Sequence, residues 1–163
     1  MQPASLVEIK KEIQKYSASD LLKLCMQLAK YKKDNKELAT YLIFHSQNLP
    51  LYISEIKNEM DILFNELVFP NTYILYKKIR KILRLTTKQI KHTGSKQAEV
   101  ELLIHFCKNL GMNKIDFKNS TAFTNLFLSQ LKKINNACEK LHEDLRNDYK
   151  EEIENLSERV EII

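Results

Sequence analysis

The sequence predicts an all-α fold, and three observations support that prediction. Apolar residues recur every three or four positions through most of the chain, and no useful length alternates between apolar and polar residues. The chain contains only two glycines and three prolines, too few for the many turns of a β-rich protein. Both glycines, Gly94 and Gly111, follow helical patterns at positions where helices commonly end.

Length and composition favour a single domain over residues 1–163. A chain of 163 residues falls within the usual domain size, and 44% of its residues are hydrophobic, enough for a core without disulfides or metals. We therefore predict a single all-α domain in which a basic helical body, residues 1–138, precedes an acidic C-terminal helical extension, residues 139–163.

Six helices can be placed from capping residues and apolar spacing. Ser5 and Glu8 have the spacing of a capping box, and Ser17 or Ser19 can cap the following helix. Asn35 is the predicted cap of a third helix, and Pro50 suits the first turn of a fourth. The predicted helices cover about 5–16, 19–33, 36–46, 50–67, 72–92 and 96–110. An irregular segment is predicted at 112–118.

The region at 120–161 leaves two interpretations open. Its apolar residues are spaced by three or four without interruption, and it contains neither Gly nor Pro. It forms either one helix of about 40 residues, close to 60 Å long, or two helices with a break near Asn135–Asn136 or Asn147. We expect six to seven helices in total, with a long C-terminal helix. They form a helical bundle or a short α-solenoid of antiparallel hairpins.

Cysteine usage and the absence of targeting patterns predict a cytoplasmic protein, of bacterial type. Cys25, Cys107 and Cys138 form no CxxC motif and are interpreted as core residues in a reducing compartment. The N-terminus lacks the pattern of a signal peptide, and no stretch approaches the length of about 20 apolar residues that spans a membrane.

Charge is distributed unevenly along the chain. The body at 1–138 holds 22 Lys and Arg against 12 Asp and Glu, a net charge of +10, whereas 139–163 holds 4 against 9, a net charge of −5. No acidic residue lies between Glu66 and Glu99. On the predicted helix at 72–92, six cations share one side, which we call the basic face: Lys77, Arg80, Lys81, Arg84, Lys88 and Lys91.

Three explanations of the basic face stay open at this point. It can bind phosphate backbones, it can dock an acidic protein surface that includes the chain's own acidic extension, or it can be a solvated face without a partner. The opposite side of the same helix is apolar and is needed for the core. We therefore predict no membrane role.

The sequence contains no recognisable catalytic motif. Two glycines cannot form a glycine-rich phosphate loop, and no nucleophile elbow or HExxH is present. Glu139 and His142 have ExxH spacing, and Cys138 lies four residues before His142, but the further ligands of a metal site are missing. We predict no enzyme activity, no cofactor, no metal site and no identifiable small-molecule ligand.

Three stretches carry a family resemblance: SDLL at 19–22, KELATYL at 36–42 and YKKIRKILR at 76–84. With these stretches the chain resembles a domain-of-unknown-function family of short, all-helical bacterial proteins, over residues 1–110. The resemblance implies a helical fold and a cytoplasmic setting, and it assigns no role to any residue.

The leading prediction for function is a non-enzymatic protein–protein interaction or scaffold module. Its expected partners are a second copy, through the C-terminal helix, or an acidic protein. The alternative is nucleic-acid binding without sequence preference through the basic face, and the third hypothesis is an enzyme of unrecognised type.

Overall fold

A computed structural model describes residues 2–68, 71–112 and 120–161, and these residues form helices without any strand. The all-α prediction is confirmed. The helices are α1 Leu6–Ile13, α2 Ala18–Tyr31, α3 Lys33–Thr40, a π-helical segment Tyr41–His45, α4 Leu49–Asn65, α5 Thr72–Thr93, α6 Lys96–Met112, α7 Thr121–Cys138 and α8 Glu143–Glu161. Eight α-helices in the described residues exceed the predicted six to seven. None of them combines the length and apolar character needed to cross a membrane.

Local capping residues fix most helix ends where the sequence predicts them. Ser5 and Glu8 form both hydrogen bonds of the capping box. The Ser17 side chain accepts a hydrogen bond from the amide of Asp20, and that of Asn48 accepts one from the amide of Leu51. Gly94 ends α5 with a φ of 61°, a left-handed conformation that favours glycine.

The helices predicted at 5–16 and 36–46 end earlier, at Ile13 and Thr40, and two predicted capping positions are wrong. Asn35 does not cap α3, which begins at Lys33; its side chain instead donates a hydrogen bond to the carbonyl of Leu28, 2.8 Å away, and so connects α3 to α2. Gly111 lies inside α6, which continues to Met112. The irregular segment predicted at 112–118 lies outside the described residues from residue 113 onward.

The chain divides into two compact units, residues 1–44 and residues 45–163. The sequence analysis predicted a single domain over residues 1–163 and did not predict this division. The N-terminal unit consists of α1, α2, α3 and most of the π-helical segment, and within it α2 packs against α3. The C-terminal unit holds α4 to α8, and both the basic face and the acidic extension belong to it.

The C-terminal unit is a bundle built around α6. This helix packs against α4, α5, α7 and α8. Because several helices surround it, it buries apolar side chains towards more than one neighbour. Its buried residues are Ala98, Val100, Leu102, Leu103, Ile104, Phe106, Cys107 and Leu110. One central helix with four neighbours does not match the predicted stack of antiparallel hairpins exactly.

The region at 120–161 forms two helices rather than one of about 40 residues. α7 ends at Cys138 and α8 begins at Glu143, so the predicted breaks near Asn135–Asn136 and Asn147 are both misplaced. α8 packs back against α7 and α6 and buries Ile153 and Leu156. Burial of this apolar side explains the break, because a single straight helix could not return to α6.

Candidate polyanion-binding face

Helix α5 presents the basic face because its other side is held in the core. Its N-terminus is capped by Asn71, whose side chain accepts a hydrogen bond of 2.8 Å from the amide of Ile74. On the apolar side Leu75, Ile79, Ile82 and Ile90 are buried, and α5 packs against α4 and α6. Rotation of the helix would expose these side chains, so burial fixes the direction of the cations.

Five of the six cations of the basic face are exposed: Lys77, Arg80, Lys81, Arg84 and Lys91. Lys88 differs from the expectation, because it is half-buried. From Lys77 to Lys91 the face extends about 21 Å along one helix, at a rise of about 1.5 Å per residue.

None of the five exposed cations makes an ion pair with a described residue. Two of them lie beside aromatic rings. The Lys77 Nζ is 4.6 Å from the centre of the Tyr73 ring, and the Arg80 guanidinium is 5.9 Å from that of Tyr76. Contacts of this kind position a cation but leave its charge uncompensated.

The acidic extension is placed on other helices. α8 packs against α7 and α6, and its Glu152 accepts a hydrogen bond of 3.0 Å from Lys108 of α6. The five exposed cations make no ion pair with an α8 carboxylate among the described residues. Neutralisation of the basic face by the chain's own acidic extension is therefore not supported.

The basic face has no aliphatic centre. At 100° per residue its arc contains the six cations together with Tyr73, which is 66% exposed, while the exposed Ile74 and Leu85 lie beyond its edge. The face can therefore supply charge and hydrogen-bond donors to a partner, but little apolar contact area.

A second group of polar residues connects α4, α6 and α8. Its centre is Glu101 of α6, which accepts hydrogen bonds from the Lys57 Nζ at 2.7 Å, the Tyr149 hydroxyl at 2.9 Å and the Gln97 amide at 3.1 Å. Burial opposes ionisation of Glu101, but the bonds from Lys57 and Tyr149 outweigh it and lower the pKa of this carboxyl. Burial, together with the Glu101 carboxylate, raises the pKa of Tyr149.

His105 extends this polar cluster along α6. Its Nε2 lies 2.6 Å from Oδ1 of Asp61, which also accepts a hydrogen bond of 2.7 Å from the Asn109 amide. A cavity of about 130 Å³ lies beside Glu101, His105 and Tyr149. Ligand pockets usually measure about 300–1,000 Å³. The cluster is therefore better explained as a connection between helices than as a substrate site.

Only part of this cluster can be recognised from the sequence. Glu101 and His105 lie four residues apart and therefore share a side of α6, which the sequence shows. Lys57 and Tyr149 lie 44 and 48 residues from Glu101, and only the folded bundle brings them to it.

The residues weighed as metal ligands lie in different environments. Cys138 is buried at the end of α7, whereas His142 is exposed and lies 3.3 Å from Asp144. In the described part of the chain no three His, Cys, Asp or Glu residues are placed to hold a metal ion.

Comparison with known proteins places this chain in no group. No family model, no curated protein and no solved structure matches it. The resemblance to a family of short helical bacterial proteins stays a prediction, and the function has to be argued from the residues themselves.

Proposed function

We propose that this protein binds the phosphate backbone of nucleic acids through the basic face of α5, without reading the base sequence. One observation carries the proposal: five cations stand exposed in a row on one helix, and none makes an ion pair with a described residue. The proposal takes up the alternative from the sequence analysis, and the leading prediction of a protein–protein interaction or scaffold module stays a prediction.

The composition of the face favours phosphates over a protein partner. The centre of a protein–protein interface is usually apolar and depleted in lysine, and the basic face has no aliphatic centre. Phosphate contacts need only cations, since release of condensed counterions supplies the affinity. Over about 21 Å one DNA strand carries about six phosphates, enough for each of the five exposed cations to meet one.

Charge reversal on the face is the direct test. We expect Lys81→Glu with Arg84→Glu to weaken binding of a labelled duplex at least about 100-fold at 50 mM salt, because two attractive contacts become repulsive. Fluorescence anisotropy measures the affinity. The original chain should bind at micromolar concentration and lose about 1,000-fold in affinity between 50 and 200 mM salt.

A matched control distinguishes the effect of the basic face from the effect of the net charge of the protein. Lys132→Glu with Lys133→Glu alters two exposed lysines of α7 and changes the net charge by the same amount. This variant should keep most of the affinity. An equal loss in both variants would show that total charge attracts the DNA. Absence of binding at 50 mM salt, with binding of poly-glutamate through the same cations, would instead identify an acidic protein as the partner.

A further inference from the structure

An exposed aromatic ring lies at the start of the basic face. Tyr73 is 66% exposed, and at 100° per residue it lies inside the arc of the cations, on the same line along the helix as Lys91. The Lys77 Nζ lies over this ring, 4.6 Å from its centre. The row of cations therefore begins with a flat apolar surface that solvent reaches.

The nearby Tyr76 shows how a tyrosine of α5 is used in packing. Tyr76 is half-buried, and its ring meets that of Phe123 of α7 edge-on, with the ring centres 5.4 Å apart. Tyr73 makes no such contact. Among the described residues no second aromatic ring lies against it, and its recorded neighbour is Lys77. Packing of the bundle therefore does not account for an aromatic residue at this position.

We propose that Tyr73 is a stacking platform for one base of a single-stranded nucleic acid, and so adds affinity for single strands that duplexes cannot gain. This inference rests on the proposed function, since the cations must first hold the phosphate backbone. Aromatic side chains beside a track of cations bind single strands of any sequence, because every base has a flat face. In a duplex the bases are paired and stacked inside, and a ring among phosphate-binding cations cannot reach them.

The positions of Tyr73 and Lys77 suit a single nucleotide. A nucleotide carries its phosphate and its base on one sugar, and the 4.6 Å between the Lys77 Nζ and the ring centre brings the partners of both groups together. Lys77 covers one face of the ring, and an exposure of 66% leaves area for a base on the other. Because no acidic residue lies between Glu66 and Glu99 in the sequence, α5 has no carboxylate to repel the phosphate.

Replacement of Tyr73 in the full chain tests the proposal. We expect Tyr73→Ala to weaken binding of a labelled oligothymidine about 10-fold, the size of one base–aromatic stack. Affinity for the duplex of that strand with oligodeoxyadenosine should change less than about 2-fold, because phosphate contacts supply it. Tyr73→Phe keeps the ring and should retain most of the affinity for oligothymidine. Fluorescence anisotropy at about 50 mM salt measures all three variants.

Tyr31 of α2 offers a closely matched control. It is 76% exposed and also lies beside a lysine, with the Lys32 Nζ 5.7 Å from its ring centre, but it is outside the basic face. Tyr31→Ala should bind oligothymidine as the original chain does. The buffer must contain a thiol reductant, because Cys25 of α2 is exposed rather than buried in a core as the sequence analysis predicted.

An abasic strand separates stacking from phosphate contacts. It carries the same phosphates as oligothymidine but offers no base, so the original chain and Tyr73→Ala should bind it equally. Circular dichroism should show the same helix content in both proteins, since an exposed side chain contributes little to stability. A loss of affinity for the abasic strand in Tyr73→Ala would mean that the ring acts only by positioning Lys77, and would overturn the proposal.

The remaining outcomes distinguish this inference from the proposed function. If Tyr73→Ala binds oligothymidine as the original chain does, while Lys81→Glu with Arg84→Glu still weakens binding, stacking is wrong and phosphate binding stands. Equal losses in Tyr73→Ala and Tyr31→Ala would likewise overturn a specific role for Tyr73. Absence of binding to both the single strand and the duplex at low salt would overturn the proposed function, and this inference with it.

Discussion

Replacing Phe106 by alanine is expected to lower the free energy of unfolding of the C-terminal unit by about 3–5 kcal/mol. Phe106 is fully buried in the central helix α6, and its ring centre lies 5.5 Å from that of Phe64 of α4. The cavity left by its removal cannot collapse easily, because α6 is held by helices on several sides. The loss is a large share of the stability of about 5–15 kcal/mol typical of a domain.

Denaturant unfolding followed by circular dichroism measures this effect. The matched control is Ile62→Ala on α4, since Ile62 is 58% exposed and should change the stability by less than about 0.5 kcal/mol. Equal losses in the two variants would contradict the central position of Phe106. A smaller slope of the unfolding free energy against denaturant concentration in Phe106→Ala would show that the bundle no longer unfolds as one unit.

The sequence predicts those parts of the fold that local hydrogen bonds decide. A hydroxyl three residues from a carboxylate is enough for the capping box at Ser5 and Glu8, and a glycine after a helical run is enough for the left-handed end at Gly94. These features need no knowledge of the rest of the chain. The same local logic fails at Gly111, which lies inside α6 rather than after its end.

Tertiary packing decides the two features that the sequence could not give. The apolar spacing continues from Cys138 through Leu141 to Leu145, so nothing local marks the end of α7. The division after residue 44 falls inside the π-helical segment Tyr41–His45, a few residues before the helix break that Pro50 predicts. The sequence shows that a helix ends in this region, but not that the chain separates there into two compact units.

The basic face and the Glu101 cluster differ in how far the sequence reveals them. The basic face follows from periodicity and the absence of acidic residues over one helix, and the structure shows five of its six cations exposed. The Glu101 cluster depends on Lys57 from α4 and Tyr149 from α8, which sequence separation conceals. Residues that act within one helix can be recognised from sequence, whereas residues assembled from three helices cannot.

Glu101→Gln is expected to lower the free energy of unfolding at pH 7 by about 1–3 kcal/mol, because it replaces charge-assisted hydrogen bonds with neutral ones. The Glu101 side chain is 20% exposed and the Lys57 side chain 31%, so solvent screens this pair less than a surface pair. Glu154→Gln is the control. Glu154 and Lys150 are 62% and 71% exposed and 4.0 Å apart, and losing this contact should cost under about 1 kcal/mol.

The pH dependence separates the ionisation of Glu101 from its packing. Folding lowers the pKa of this carboxyl below its usual value of 4.5, so its contribution is present above that pH. The contribution is lost as the pH falls through the lowered pKa of the folded state. The stability difference between the original chain and Glu101→Gln should therefore be largest at pH 7 and shrink towards pH 3 in unfolding experiments. A difference that stays constant would mean that the substitution acts through shape, and that α4, α6 and α8 are held by their apolar contacts alone.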